Sequence, residues 1–365
     1  MLRILAVLLA TLCLPACDAP SSRVEQENTP PVDEAADRAR LGQPRRELSA
    51  ADLAAFERGK RIFVQRLPTL GPLYNDESCA ACHFIPAVGG SGDLEHAEYM
   101  GPRNAAGPPR PDGRPRGDTA LYHRRALPGW AVPARPPNVS RRIPPPLYGV
   151  GLIERIPDAT IRAHCGEGHI DSAKLQGAEP RNQVARFGHK PYLGTVMDFV
   201  ASELFTQGIS NALEGPGSKD DDSFPDPEVD SKFVADLAAF VRGLQPPGRN
   251  GTDAGGEAAF RSFGCSVCHV PDMPPATNVF SDFCVHRMGE ALADGIFDHE
   301  AEGDEFGTTP LQGLRFKTVL LHDGRATTVD AAIRAHGGES QRAADAYRDA
   351  PADQREALLR FLKTL

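Results

Sequence analysis

The pentapeptide Cys-x-x-Cys-His occurs twice in this chain of 365 residues, at Cys79-Ala80-Ala81-Cys82-His83 and at Cys265-Ser266-Val267-Cys268-His269. Each fixed residue has separate work. Two thiols three positions apart lie on one side of a helical turn, placed to add across the two vinyl groups of one porphyrin, and the His that follows projects to the iron as proximal ligand. A zinc ribbon brings its cysteine pairs within about 15–20 residues of each other, whereas these pairs lie in different halves. A thioredoxin-like pair needs a strand–helix–strand setting, and none is found. The expectation is two covalently bound haem c groups, carried by Cys79, Cys82, Cys265 and Cys268, with His83 and His269 on the irons.

The folded part repeats itself. Each half opens with Gly-x-x-x-Phe (Gly59 to Phe63, Gly256 to Phe260) and continues to its cysteine motif. Pro-Leu-x-Gly follows (Pro146 to Gly149, Pro310 to Gly313), then Ile-Arg-Ala-His (Ile161 to His164, Ile333 to His336). Each half closes on a short helical segment with Phe, an aliphatic residue and a base, Phe240-Val241-Arg242 and Phe361-Leu362-Lys363. One unit used twice, with a break at Pro246-Pro247-Gly248, predicts domains over 48–246 and 247–365.

The first residues read as an export signal, 1–16. A single Arg3 precedes the apolar run Ile4 to Leu14, too short to span a bilayer as a helix. The run ends at Leu14-Pro15-Ala16-Cys17, which resembles the lipobox of bacterial lipoproteins; that resemblance implies lipidation of Cys17, and Asp18 after it implies retention at the inner membrane. Residues 17–47 are polar with no apolar period, and are expected to be a disordered, lipidated tether. Together these place the protein in the periplasm on a lipid anchor. The formal net charge of −9 argues against a nucleic-acid partner.

Helical signals dominate. Ser49-Ala50-Ala51-Asp52 reads as a capping box opening a helix to about Val64. Residues 231–244, 328–336 and 353–364 carry helical spacing, the second stopped by Gly337-Gly338. No segment shows strong strand alternation. The stretch 101–146 is rich in Pro, Gly and Arg and reads as a long loop, as does 214–230 with its Asp220-Asp221-Asp222 run. The expected fold is mainly α, two tandem cytochrome c-like domains with long Pro/Gly-rich loops.

The second axial position decides what such a protein does: six protein ligands make an electron carrier, an open position can bind peroxide. His336 is the leading distal candidate, at the end of a short helix, and the repeat gives His164 the matching place. His96 follows the first motif, and His286 and Met288 follow the second. Cys165 and Cys284 remain, one in each half. A disulfide between them would staple the halves; two buried free thiols are the alternative.

Several stretches resemble the bacterial di-haem oxidoreductase family, whose members are described as peroxidases or thiol oxidoreductases. They are Gly71-Pro72-Leu73-Tyr74-Asn75, Pro145-Pro146-Leu147 to Ile156-Pro157-Asp158, Ala185-Arg186-Phe187-Gly188, and Leu321-His322-Asp323-Gly324-Arg325-Ala326 to His336-Gly337-Gly338-Glu339. The resemblance covers roughly 48–365. It implies one haem that feeds electrons and another that meets peroxide, with His336 as distal ligand of the feeding haem. It implies an acidic residue for proton movement, for which Glu154 is the candidate. Related peroxidases keep a Trp between their haems; Trp130 is the one Trp here, and His189 stands where Phe187-Gly188 would lead to a Trp.

The expected function is that of a periplasmic di-haem oxidoreductase, peroxidase-like. Electrons come from a small cytochrome or cupredoxin and pass to a small oxidant such as hydrogen peroxide. The alternatives are a pure electron-transfer cytochrome and an enzyme that oxidises a protein or organic partner.

Overall fold

The computed structural model describes residues 34–67, 72–102, 119–132, 134, 135, 137–166, 168, 183–213, 225–298 and 300–365. The expected signal, Cys17 and the Asp220-Asp221-Asp222 run lie outside the described residues.

The first element corrects the expected tether. Residues Glu34–Arg40 form helix α1, and Asp37 within it is only 3% exposed. Its carboxylate pairs with Arg315 and accepts from the Gly248 amide at 3.1 Å. Leu41 enters the core, and the Arg45 amide donates to the Gly243 carbonyl at 2.8 Å. The segment showed no apolar period because a buried ion pair and one Leu hold it.

Helix α2 (Ala50–Val64) opens as its cap predicts, with the Ser49 hydroxyl accepting from the Asp52 amide at 3.1 Å. The first half continues through β1 (Leu73–Tyr74), α3 (Cys79–Cys82), β2 (Glu98–Pro102), β3 (Thr119–Leu121), β4 (Arg125–Ala126) and β5 (Ser140–Arg142). It ends with α4 (Val150–Ile153), α5 (Asp158–His164), α6 (Val196–Thr206) and α7 (Ser231–Gly243). The second half holds α8 (Ala254–Ser262), β6 (Val285–Arg287), β7 (Glu305–Gly307), α9 (Val329–Ala335), α10 (Gln341–Asp349) and α11 (Ala352–Leu362). Three small antiparallel sheets pair β1 with β4, β3-β2-β5 in that order, and β6 with β7. Among the described residues helix makes up 39% and strand 12%, so the fold is mixed, with helix predominant, rather than simply α. Strands of two to five residues are too short to register as alternation, and four of them lie in or beside the stretch that reads as loop.

The repeated landmarks acquire a physical reason. In each half the opening helix crosses the closing one, α2 on α7 and α8 on α11. A Cβ on Gly59 would lie 1.9 Å from the Asp236 carbonyl oxygen, and one on Gly256 would lie 2.3 Å from that of Ala357. The Phe four residues on fills the space beside the crossing: Phe63 meets Phe240 at 4.7 Å between ring centroids, and Phe260 meets Phe361 at 5.3 Å. Burying each such ring contributes about 1.5–3 kcal/mol.

The halves share more than a linker. Met273, Val279 and Phe283 of the second pack into the core of the first. Cys165 and Cys284 are joined by a disulfide with a Cα–Cα distance of 5.5 Å. Arg142 of β5 reaches into the second half, to Asp298 at 2.6 Å and Asp294 at 3.4 Å, and Lys190 meets Asp294 at 3.0 Å.

Helix propensity alone would make Gly59→Ala and Gly256→Ala stabilising by about 1 kcal/mol each. The crossings demand the opposite sign, a loss of about 1–3 kcal/mol from overpacking. A lower urea midpoint for either variant, followed by circular dichroism, checks this.

Candidate functional site

The first motif is built on a single helical turn. Ser78 caps α3, its hydroxyl accepting from the Ala81 amide at 3.2 Å, and the His83 amide bonds the Cys79 carbonyl at 3.0 Å. The His83 Nδ1–H is shared between the carbonyls of Gly90 at 3.1 Å and Pro145 at 3.0 Å. The second motif starts from Gly264, left-handed at φ 86°, which turns the chain into a 3-10 turn over Cys265–Val267. The His269 Nδ1–H donates to the Phe280 carbonyl at 3.0 Å. In both motifs the same nitrogen is spent on backbone, so Nε2 keeps its lone pair. Burial lowers both imidazole pKa values, that of His269 to about 4, which keeps the rings neutral. A neutral imidazole fixed through Nδ1 with Nε2 open is the form that binds a metal.

The four motif cysteines are not joined in disulfides. Burial pushes Cys79 and Cys82 up to about 12 and Cys265 to about 11. A redox dithiol needs a lowered thiol pKa, and these move the other way. The residues present fit haem: two thiols and one open imidazole nitrogen in each half.

Of the distal candidates, His336 and His286 both come near the motif histidine His269, and of the two it is His336 that keeps a ring nitrogen open. It caps α9 with Nδ1 on the Ala332 carbonyl at 2.8 Å, and it is close enough to His269 for its charge to lower that pKa. Its place depends on the glycines that follow, since a Cβ on Gly338 would lie 2.1 Å from the Arg287 carbonyl oxygen. His164 makes the same contact, Nδ1 to the Thr160 carbonyl at 2.8 Å, but it is exposed. His96 donates from Nδ1 to Asp93 at 2.8 Å and packs edge-on against Phe84, next to His83. Met288 lies beside the His336 turn, its sulfur 4.0 Å from the Ser340 hydroxyl. His286 is held between Asp282 at 2.9 Å and Glu339 at 2.8 Å. Burial opposes its charge, but these carboxylates and the neighbouring Cys268 carry its pKa to about 11, so both ring nitrogens are occupied.

Glu154 is fully engaged. Its carboxylate takes Arg242 in two bonds, at 2.6 and 2.8 Å, and accepts from the Val196 amide at 2.8 Å, closing the start of α6. Trp130 is 59% exposed in a loop. His189 instead lies at the junction of the halves, donating from Nε2 to the Ile143 carbonyl at 2.9 Å, with burial and the charges of Arg142, His322 and Lys317 taking it to about 3. His322 stacks on Phe306 at 4.1 Å between centroids, and burial brings it to about 4.

Beside the first motif stands an acidic pair that sequence reasoning missed, Glu98 on β2 and Glu203 on α6. Each raises the pKa of a motif thiol, Glu98 that of Cys82 and Glu203 that of Cys79. Gln207 donates to Glu98 at 2.8 Å and Asn75 at 3.5 Å. Burial first, then the charge of Glu98, pushes Glu203 up to about 8, and burial also raises Glu98. Two buried carboxyls that feel each other cannot both ionise near neutrality, so the pair holds a proton. The available signal was an acidic residue, Glu203, set among Phe199, Val200, Leu204 and Phe205 of α6.

Buried neutral imidazoles with one open nitrogen, set behind paired thiols in each of two halves, define a haem-binding redox protein. Residues 215–365, which include the second motif and His336, match the family described as "Di-haem oxidoreductase, putative peroxidase". That match supports the resemblance read from the sequence over the second half of the chain. No curated protein matches the chain. A solved structure of hydrazine synthase from Kuenenia stuttgartiensis, under xenon pressure, aligns over 99% of this chain and 99% of its own at 15% identity, with a TM-score of 0.43. That distant likeness does not establish a shared fold.

The charge network at the junction makes the site's frame sensitive to acid. Burial pushes Asp294 up, but Lys190 and Arg142 pull it below the ordinary carboxylate value. Its contribution is present above the unfolded carboxylate pKa and is lost as pH falls through the lower folded value. Arg142→Ala removes the guanidinium that Asp294 and Asp298 share, leaving Asp294 to Lys190, and is expected to cost about 3–5 kcal/mol at pH 7, with a smaller penalty as the pH falls and those carboxylates protonate. Urea denaturation across that range measures both.

Proposed function

We propose that the protein is a peroxidase-like enzyme with one covalently bound haem c in each of two cytochrome c-like domains, exported and held at the inner membrane by lipid on Cys17. The observation that carries this is the unequal surroundings of the two motif histidines. His336 stands with His269, whereas the first motif has a proton-holding acidic pair beside its thiols.

Two imidazoles facing one iron suit electron transfer, and a site with a buried, protonated acid beside it suits a substrate. When bound, the haems supply the electrons and the place where peroxide meets iron. Reduction of hydrogen peroxide to two waters consumes two electrons, from a periplasmic cytochrome or cupredoxin, and two protons. The Glu203 carboxyl oxygen holds a proton at neutral pH because burial and Glu98 disfavour its anion; Gln207 and Asn75 orient Glu98 and stabilise its charge. His83 is fixed by two carbonyls, so its Nε2 cannot swing away. Glu154 serves as a positioning residue that ties α6, and hence Glu203, to Arg242.

Purified mature protein is expected to keep its red colour through acid–acetone extraction. Its ferric spectrum should contain a high-spin component that shifts on adding cyanide or peroxide. Two low-spin haems indifferent to both would instead make it an electron carrier. Glu203→Gln, which keeps shape and removes the acid, should lower peroxide turnover with reduced cytochrome by about 10²-fold at unchanged haem content. Unchanged turnover removes Glu203 from the reaction.

A further inference from the structure

Lys317 is a half-buried cation for which the described residues offer no counter-ion. It follows the 3-10 turn Leu314–Phe316, with its amide on the Leu314 carbonyl at 3.1 Å. Its ammonium has no hydrogen bond or ion pair among the described residues. Burial alone takes its pKa down to about 8, with no carboxylate offsetting the loss. The chain treats its other deep cations differently. Arg142 meets Asp294 and Asp298, Lys190 meets Asp294 and the Ile296 carbonyl, and Arg315 meets Asp37 and the Leu365 carbonyl. A charge partly withdrawn from water without a partner is costly, so an unpaired lysine lining this crevice points to an anion that arrives with a ligand.

Its position says which ligand. Lys317 lines a narrow crevice at the junction of the halves together with Ile85, Pro86, Ser91 and Pro146. Ile85 and Pro86 lie two and three residues after His83, and Pro146 adjoins Pro145, whose carbonyl takes His83 Nδ1. Lys317 also bears electrostatically on His189. A residue of the second half thus sits against the loop that fixes the histidine of the first. The group expected at these motifs carries two carboxylates of its own, the haem propionates.

We propose that Lys317 Nζ is the counter-ion and hydrogen-bond donor of a haem propionate at the junction of the two halves. This rests on the haem reading above. The propionate comes from the haem of the first half or from that of the second, and the experiment separates the two.

Wild type, Lys317→Gln and Lys317→Arg are purified as mature protein, and haem is counted in each. Absence of haem from the wild type sinks the haem reading itself. With two haems present, the midpoint potentials are measured by spectroelectrochemistry. Lys317→Gln should lower one potential, because an unneutralised propionate favours the ferric state, and Lys317→Arg should restore it. The haem whose potential moves is the one that owns the propionate. Both potentials unchanged in a variant that keeps two haems overturns the proposal. Should Lys317→Gln fail to fold, Lys317→Arg carries the test: it must shift the propionate bending band of one haem in the resonance Raman spectrum, and an unmoved band overturns the assignment.

Discussion

Each half of this molecule is organised by a helix crossing with no side chain at its centre. Gly59 and Gly256 let a peptide carbonyl of the closing helix come to within the radius a Cβ would need. That contact sets how close the first and last helices of each half lie, and Phe63, Phe240, Phe260 and Phe361 then pack where the helices diverge. The cysteine motifs follow the opening helices, so the crossing also decides where paired thiols and their histidine stand relative to the core.

Backbone then does what side chains usually do at a metal site. Pro145, Gly90 and Phe280 supply carbonyls to the Nδ1 atoms of His83 and His269, fixing the tautomer that leaves Nε2 open. The acceptors come from loops rich in Pro, where a fixed φ holds a carbonyl in place without a regular ladder. This is how a chain with so many Pro and Gly residues builds a rigid site. The halves are in turn held as one body by the Cys165–Cys284 disulfide, by apolar residues of one half seated in the core of the other, and by the Arg142–Asp294–Asp298–Lys190 network. A buried network of this kind contributes orientation more than stability, since desolvation offsets most of its attraction.

The halves differ in their surroundings where they depart from the repeat. Ile-Arg-Ala-His ends a helix in both, with the same contact to the carbonyl four residues back. Of these two, His336 is the one turned inward near a motif histidine, because Gly337 and Gly338 let the chain pass against Arg287 and Met288. The first half has no such glycine pair after His164. It places Glu98 and Glu203 by its thiols instead. A duplicated module thus carries two environments.

The sequence by itself determined the duplication, the haem motifs, the main helices and the glycines at the crossings, because each is a local pattern with a fixed period or spacing. Cys165 and Cys284 were readable as a candidate pair, but their meeting depends on 119 residues of intervening chain and is a fact of the fold. Only the tertiary structure decided that Asp37 is buried, that Glu154 is consumed by Arg242, that Glu98 and Glu203 share one surrounding, and that Lys317 faces the crevice behind His83. The physical reason is the same in each case. The character of an ionisable side chain is set by what lies within a few ångströms of it, and those neighbours come from elements far away in the chain.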